Sequence, residues 1–254
     1  MSCIKTIGII SDIHAGHYAS ICPPSWWYKV EGDRRDEWLK IRKKRRKNQE
    51  EMWYAYKKIV TPGVDVLFVL GDAIDGTGQK HNWQNELITS DRIEQIEIAT
   101  RVINEWKAKK VIMVYGTPTH TGETEDWEKL IQERIPNSYI ASSIFCKIEG
   151  LKFHAKHHAA SSSSPQGINT ALTREVVWNL IRQDTQDEPR ADILLRGHTH
   201  RFTYIDSFGK IGISCPALQL PLGKSSRLFG GWTDWGCLTM AVHNKEVVSF
   251  NKHI

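Results

Sequence analysis

Short apolar, β-branched runs recur along the chain, and each ends on polar residues. Lys5–Ser11 (KTIGIIS) leads into Asp12 and His14 before Gly16, Val64–Leu70 (VDVLFVL) into Gly71-Asp72, and Val111–Tyr115 (VIMVY) into Gly116. A fourth run, Ile193-Leu194-Leu195, leads into Arg196-Gly197-His198-Thr199-His200. Runs that are apolar at nearly every position predict strands buried on both faces. Between the second and third, Ser90 is expected to cap a helix in which Ile93, Ile96, Thr100, Ile103 and Trp106 recur at helical spacing. Strand, helix, strand is a parallel crossover unit, and ligands collect at the carboxyl ends of such strands. The polar residues all lie at those ends.

The intervening segments have other patterns. His17–Gly32, with Pro23-Pro24 and Trp26-Trp27-Tyr28, has no clean period and predicts a long loop. Asp33–Ile59 is charged and free of proline, with Trp38, Ile41, Met52, Tyr56 and Ile59 at roughly helical spacing, and Thr61-Pro62-Gly63 stops it. One long helix or two shorter ones should form there. Thr124–Ile135 predicts a further helix, and Ile144–Ile148 with Leu151–Lys156 a hairpin across Glu149-Gly150 that runs on into His157-His158. A polar break, Ser161–Gly167, precedes a helix over Asn169–Gln183. From Phe202 onward, Lys210–Ser214, Cys237–Val242 and Glu246–Phe250 predict antiparallel strands. No repeat or linker divides the chain, so one domain over 1–254 is expected, with an insertion at about 17–60.

Composition narrows the class. At 254 residues and 40% hydrophobic, the chain can bury one sizeable core. Its five cysteines are scattered and include no CxxC pair, which excludes a disulfide framework or zinc knuckle and points to a reducing cytosol. Met1-Ser2-Cys3-Ile4-Lys5 lacks the apolar core of a signal peptide after a basic start, and no later run approaches the roughly 18 apolar residues of a membrane span. A soluble, cytoplasmic protein without a membrane partner is expected. The net charge of +5 suits an anionic substrate, and much of the excess is local, in Arg42–Lys47. Consecutive charges cover every side of a helix, so a solvated helix is the plain reading of that run. A groove for nucleic acid is the other, with Trp26-Trp27-Tyr28 stacking on bases or pinning the loop to the core. The Gly-flanked aromatic stretch Gly230–Gly236 reads first as a structural turn and second as a cleft wall.

The strand-end residues are Asp12, His14, Asp72, His120, His157, His198 and His200. Carboxylates with imidazoles suit manganese foremost, with iron, zinc, nickel or cobalt as the others, whereas all-oxygen sets suit magnesium or calcium. Asp12 and His14 alternate around Ile13, as His198 and His200 do around Thr199, so in extended backbone each pair shares a face. The set exceeds what one tetrahedral ion needs and predicts two divalent ions sharing a carboxylate. Alone, an Asp after a strand is more often a turn residue. The joint occurrence favours the metal reading.

Taken in order, Asp12-x-His14, Gly71-Asp72-x-x-Asp75, Gly116-x-x-x-His120, a His after a hydrophobic strand and Gly197-His198-Thr199-His200 resemble the motif series of the calcineurin-like metallophosphoesterases. The resemblance implies an α/β fold, a two-sheet β-sandwich flanked by α-helices, with a dinuclear centre at its rim. It implies that Asp12, His14 and His200 hold the first ion, His157 and His198 the second, and that Asp72 bridges them. His154, His157 and His158 compete for one place, and the family's His-His variants favour the first of a pair, hence His157. Asp75 reads as a hydrogen-bond partner of a ligand or as a carboxylate in a helix's first turn. The third motif departs from the family's Gly-Asn-His: here it is Gly116-Thr117-Pro118-Thr119-His120. Thr117 or Thr119 can offer a hydroxyl, or His120 can itself become a ligand.

The implied reaction is hydrolysis of a phosphate ester, a phosphodiester foremost. A hydroxide bridging two cations about 3.5 to 4 Å apart would attack phosphorus in line, and His120 would be the catalytic proton donor to the leaving group. DNA or RNA is a further candidate substrate. The reading from another class is a non-catalytic nucleic-acid-binding or scaffold protein with a partly degraded metal site, and the altered third motif is the feature that points to it.

Overall fold

Apolar runs without alternation demand cover on both faces, and the fold supplies it. A computed structural model describes residues 3–30, 37–78, 84–122, 125–158, 167–184, 188–222 and 233–254. Strands β1 (Lys5–Ile10), β2 (Val66–Val69), β3 (Lys110–Val114) and β4 (Ser138–Ala141) run parallel in one sheet. Beside β1 lies the antiparallel pair β10 (Cys237–His243) and β11 (Glu246–His253), giving the order β11-β10-β1-β2-β3-β4. A second mixed sheet, in the order β5-β6-β7-β9-β8, is built from β5 (Ser143–Ile148), β6 (Leu151–Lys156), β7 (Ile193–Arg196), β8 (Thr203–Ser207) and β9 (Lys210–Ser214).

The sheets pack face to face. Ile7, Ile9, Phe68 and Leu70 from the first meet Phe153, Ala155, Leu195 and Ile213 from the second. The outer face of the first sheet, carrying Ile10, Leu67, Val69 and Met113, is covered by Tyr56 of α1 (Glu37–Ile59), Ile96 and Val102 of α2 (Arg92–Asn104) and Ile131 of α4 (Trp127–Glu133). Val176 of α5 (Gly167–Asp184) packs on Leu194 behind the second sheet. The result is an α/β fold, a sandwich of two mixed sheets flanked by helices. All five cysteines are free thiols. No helix among the described residues is long and apolar enough to cross a membrane.

Several local expectations shift. The helix after the second strand is capped by Asp91, not Ser90: the Asp91 carboxylate accepts the N–H groups of Ile93 and Glu94, and its charge also suits the positive end of the helix dipole. The helix expected over Thr124–Ile135 is confined to α4, with Asp126 as its cap. The strand β4 was not predicted, because only Ile140 of its four residues is buried. Not every late strand is antiparallel: the Phe208-Gly209 turn, with φ of 56° and 67°, folds β9 back so that it pairs parallel with β7. The start of the helix expected from Asp33, the polar break at 161–166 and Gly230–Trp232 lie outside the described residues.

The basic run is only half solvated. Lys43, Lys44 and Lys47 are exposed, whereas Arg42, Arg45 and Arg46 are half-buried. The Arg45 guanidinium lies 4.2 Å from the Tyr18 ring centroid and donates to Tyr28 Oη and Asn85 O. Arg46 lies 4.5 Å from the Trp27 ring centroid and donates to Glu50 and to Tyr28 O. Two of the six cations therefore pin the aromatic loop to α1. Trp27 completes the tie by donating its indole N–H to Cys22 O.

Behind the second sheet sits a buried polar knot. Arg196, 1% exposed, donates to His154 O, Leu195 O and Glu175 Oε2. His154 is packed flat against Phe145, with Nε2 on Ser143 Oγ and Nδ1 3.3 Å from Arg196 Nη2. Burial, and then the Arg196 charge, push its pKa down to about 3. The unfolded chain therefore binds a proton here that the folded one does not, and stability is lost as pH falls from about 6.5 towards 3. His154→Gln, which keeps a polar group without a titrating one, is expected to flatten the fall in melting temperature across that window. Identical slopes for wild type and variant would exclude the assignment.

Candidate metal centre

The candidate residues stand on the segments that leave β1, β2, β3, β6 and β7. Their backbone is not the extended form expected from sequence. Asp12, His14, Asp72, His198 and His200 all have left-handed φ, between 46° and 70°. Asp and His tolerate this region better than most residues. The surrounding ladder imposes it: Asp12 N–H donates to Gly71 O, His14 N–H to Asp72 O and Asp75 N–H to Ala15 O. Two glycines allow the loops to close. A Cβ on Gly116 would lie 2.2 Å from Asp72 N, and one on Gly197 would lie 2.3 Å from Ser11 Oγ.

Donor atoms converge in overlapping groups: Asp12, His14 and His200; His14, Asp72 and His120; and Asp72, His157 and His198. In the first, His14 Nε2 and His200 Nε2 are 3.2 Å apart, and Asp12 Oδ1 is 3.3 Å from the latter. Asp12 accepts with its other oxygen, from Ser11 Oγ and from His198 N–H. In the third group, His157 Nε2 is 3.1 Å from Asp72 Oδ2. His157 Nδ1–H donates to Leu70 O, leaving Nε2 as the atom turned to the cluster. His158, its neighbour, is exposed and stacks on His198. Asp75 proves to be a partner of a candidate ligand, holding His14 Nδ1 at 3.0 Å. His120 Nδ1 donates to Asp75 O, and the His120 ring meets that of His14 edge-on at 4.6 Å.

The third motif divides its duties. The Thr117 hydroxyl reaches the group around Asp72 and His157, whereas His120 sits beside His14. Thr119 has no role there that the described contacts show.

The electrostatics fit bound cations. Burial alone would raise the Asp12 carboxyl, yet His200 and His157 bring it down to about 2. Asp72 is likewise held far below the usual range against its burial, chiefly by His157 and His120. In return, and also against burial, Asp72 and Asp12 raise His157 to about 10. Burial and the positive charge of His157 then depress His198 to about 4. Asp12 Oδ1 and Asp75 Oδ2 are buried with no hydrogen-bond partner among the described residues. Two ionised carboxylates, five converging imidazoles and the orphaned Asp12 Oδ1 suit divalent ions with mixed nitrogen and oxygen ligands.

Two residues that hold the centre were missed from sequence. Glu128 is fully buried, its Oε1 accepting Ala73 N–H at 2.8 Å and its Oε2 accepting Gly116 N–H at 2.7 Å. It thus braces the two loops that carry Asp72 and Thr117. The available signal was an acid in line with Ile131 and Ile135 on the apolar face of a helix. Asp234 is the second: its backbone N–H donates to His200 O and its carboxylate accepts Phe202 N–H. The described part of the Gly230–Gly236 stretch is therefore a structural tie.

Residues 5–202 match the family model for calcineurin-like phosphoesterases. The chain belongs to that family. Among curated proteins, none matches this phosphoesterase. Solved structures similar to it include a zinc complex of Vps29 from Entamoeba histolytica, 12% identical, covering 97% of this chain and 96% of that one at a TM-score of 0.46. An archaeal phosphodiesterase is 16% identical over 95% and 96% of the two chains with a TM-score of 0.43. A predicted phosphoesterase from Streptococcus pneumoniae is 13% identical over 99% and 91% with a TM-score of 0.42. Membership of the calcineurin-like phosphoesterases rests on the family match alone.

Proposed function

We propose that this calcineurin-like phosphoesterase is a metal-dependent phosphodiesterase using two divalent ions, manganese first among the metals its donors suit. The observation that carries the reading is the pair of donor groups that meet at Asp72, one through His14 and the other through His157 and His198. Asp12, His14 and His200 would hold one ion, His157 and His198 the other, with Asp72 shared. Such ions, when bound, supply charge neutralisation for the phosphate oxygens and lower the pKa of water towards neutrality.

The chain's own residues supply orientation and a proton. Asp75 fixes the His14 ring through Nδ1, and Leu70 O does the same for His157. His120, anchored by Nδ1 on Asp75 O, keeps Nε2 as the nitrogen for transfer to a departing alkoxide. Asp72 and Asp75 raise its pKa against burial, the direction a proton donor needs. Small diesters fit better than a long polynucleotide, because Arg45 and Arg46 are already spent on the aromatic loop.

The test is a panel of metal-free protein reloaded with Mn, Zn, Fe, Ni or Mg against a monoester, a diester, cyclic nucleotides and single- and double-stranded DNA. Turnover of a small diester, strongest with Mn and abolished by chelator, is expected. No turnover on any ester with any metal would overturn the proposal and favour the non-catalytic reading. Cleavage of DNA would instead carry a log–log salt slope of about −2 to −3, if Lys43, Lys44 and Lys47 each meet a phosphate.

A further inference from the structure

Thr117 occupies the position before α3 (Pro118–Thr121), where a threonine normally caps the helix with its hydroxyl. Here it makes no such bond. The side chain turns instead into the group around the shared carboxylate. Its Oγ1 lies 3.1 Å from Asp72 Oδ2, 3.3 Å from His157 Nε2 and 3.5 Å from His198 Nδ1. A hydroxyl has one proton and two lone pairs. It can donate to Asp72 Oδ2 and still present a lone pair to whatever Asp72, His157 and His198 surround.

We propose that the Thr117 hydroxyl is a ligand of the second ion, and that it makes this ion the weaker and separately recruited one. The inference rests on the dinuclear reading above. The asymmetry follows from charge. The first ion has Asp12 to itself besides its share of Asp72, whereas the second has only the shared carboxylate, two imidazoles and a neutral hydroxyl. Serine and threonine hydroxyls do bind divalent ions elsewhere, as in phosphate-binding loops, but a hydroxyl adds less than a carboxylate, which is charged, or a carboxamide oxygen, whose dipole is larger. With only the shared carboxylate for charge, the second position is also the easier one to vacate when the supply of metal falls.

The experiment titrates metal-free protein with Mn alone. Free and bound Mn are counted by electron paramagnetic resonance, with the spin-coupled signal marking chains that hold two ions. Wild type should fill in two resolved steps. In Thr117→Val the first step should be unchanged and the second weakened at least about tenfold. Thr117→Ser should behave like wild type, and Thr117→Asn, whose carboxamide oxygen is a stronger ligand, should tighten the second step alone. A Thr117→Val protein unchanged in both steps would overturn the inference. So would one weakened equally in both, because the hydroxyl would then act by orienting the shared Asp72. Wild type that never takes a second Mn would sink the dinuclear reading itself, and this inference with it. Thr117→Ser supplies the comparison if the valine variant fails to fold.

Discussion

Asp72→Asn is expected to abolish ester hydrolysis by the Mn-loaded protein while the fold persists. Asp72 is 2% exposed, and its backbone already accepts the His14 N–H, so the amide variant keeps both the loop and its volume. The charge is lost. One oxygen now accepts Thr117 N–H and the other faces His157 and the Thr117 hydroxyl. An amide must turn its NH2 towards one of these sets. On the dinuclear reading, the anion that two cations would share disappears at the same time. The fall should exceed the roughly 10- to 100-fold typical of losing an outer partner of a metal ligand. Turnover measured on a small diester, alongside far-ultraviolet circular dichroism, decides it. Most of the activity surviving in a folded variant would rule out two ions sharing Asp72.

Glu128→Gln is expected to be the next most damaging change, although the residue touches no substrate. Both carboxylate oxygens accept a backbone N–H. Glutamine matches the shape but has one acceptor and one donor, so an NH2 is set against Ala73 or Gly116 N–H. An unpaired buried donor costs about 1 to 3 kcal/mol. It is felt where the loops bearing Asp72 and Thr117 meet. Affinity for Mn should fall roughly 10- to 100-fold, with both steps of the titration affected. A second readout separates bracing from mere instability. Burial, opposed by the Ala73 N–H and assisted by Asp72, lifts Glu128 to about 7. The folded state therefore holds a proton that the unfolded chain has released, and stability declines as pH rises from about 4.5 to 7. The variant should lose that decline. Mn affinity equal to wild type in a folded variant would dismiss the bracing role.

The legible part of this protein was what local pattern and order encode. Buried strands announced themselves by unbroken apolar runs, and the Glu149-Gly150 hairpin by its turn residues, now seen at φ of 47° and 87°. The candidate ligands were readable because each follows such a run. What pattern could not encode was meeting. Thr117 and His120 are three positions apart, yet the fold sends one to His157 and the other to His14. Nothing in Thr-Pro-Thr-His decides that division, which depends on where β2 and β6 end. Glu128 was hidden because a helical glutamate is ordinarily solvated. The arginines of the basic run were hidden too, because their partners Tyr18, Trp27 and Tyr28 come from a loop with no period.

The left-handed backbone at Asp12, His14, Asp72, His198 and His200 has a cost in stability. Each such residue forgoes on the order of 1 kcal/mol that glycine would recover at the same angles. Part of that load is offset where the side chain holds a backbone donor, as Asp12 does for His198 N–H and Asp72 for Thr117 N–H. Acids and imidazoles stand at all five positions under torsional load, so each loop is held in place by its neighbours and not by its own preferred angles.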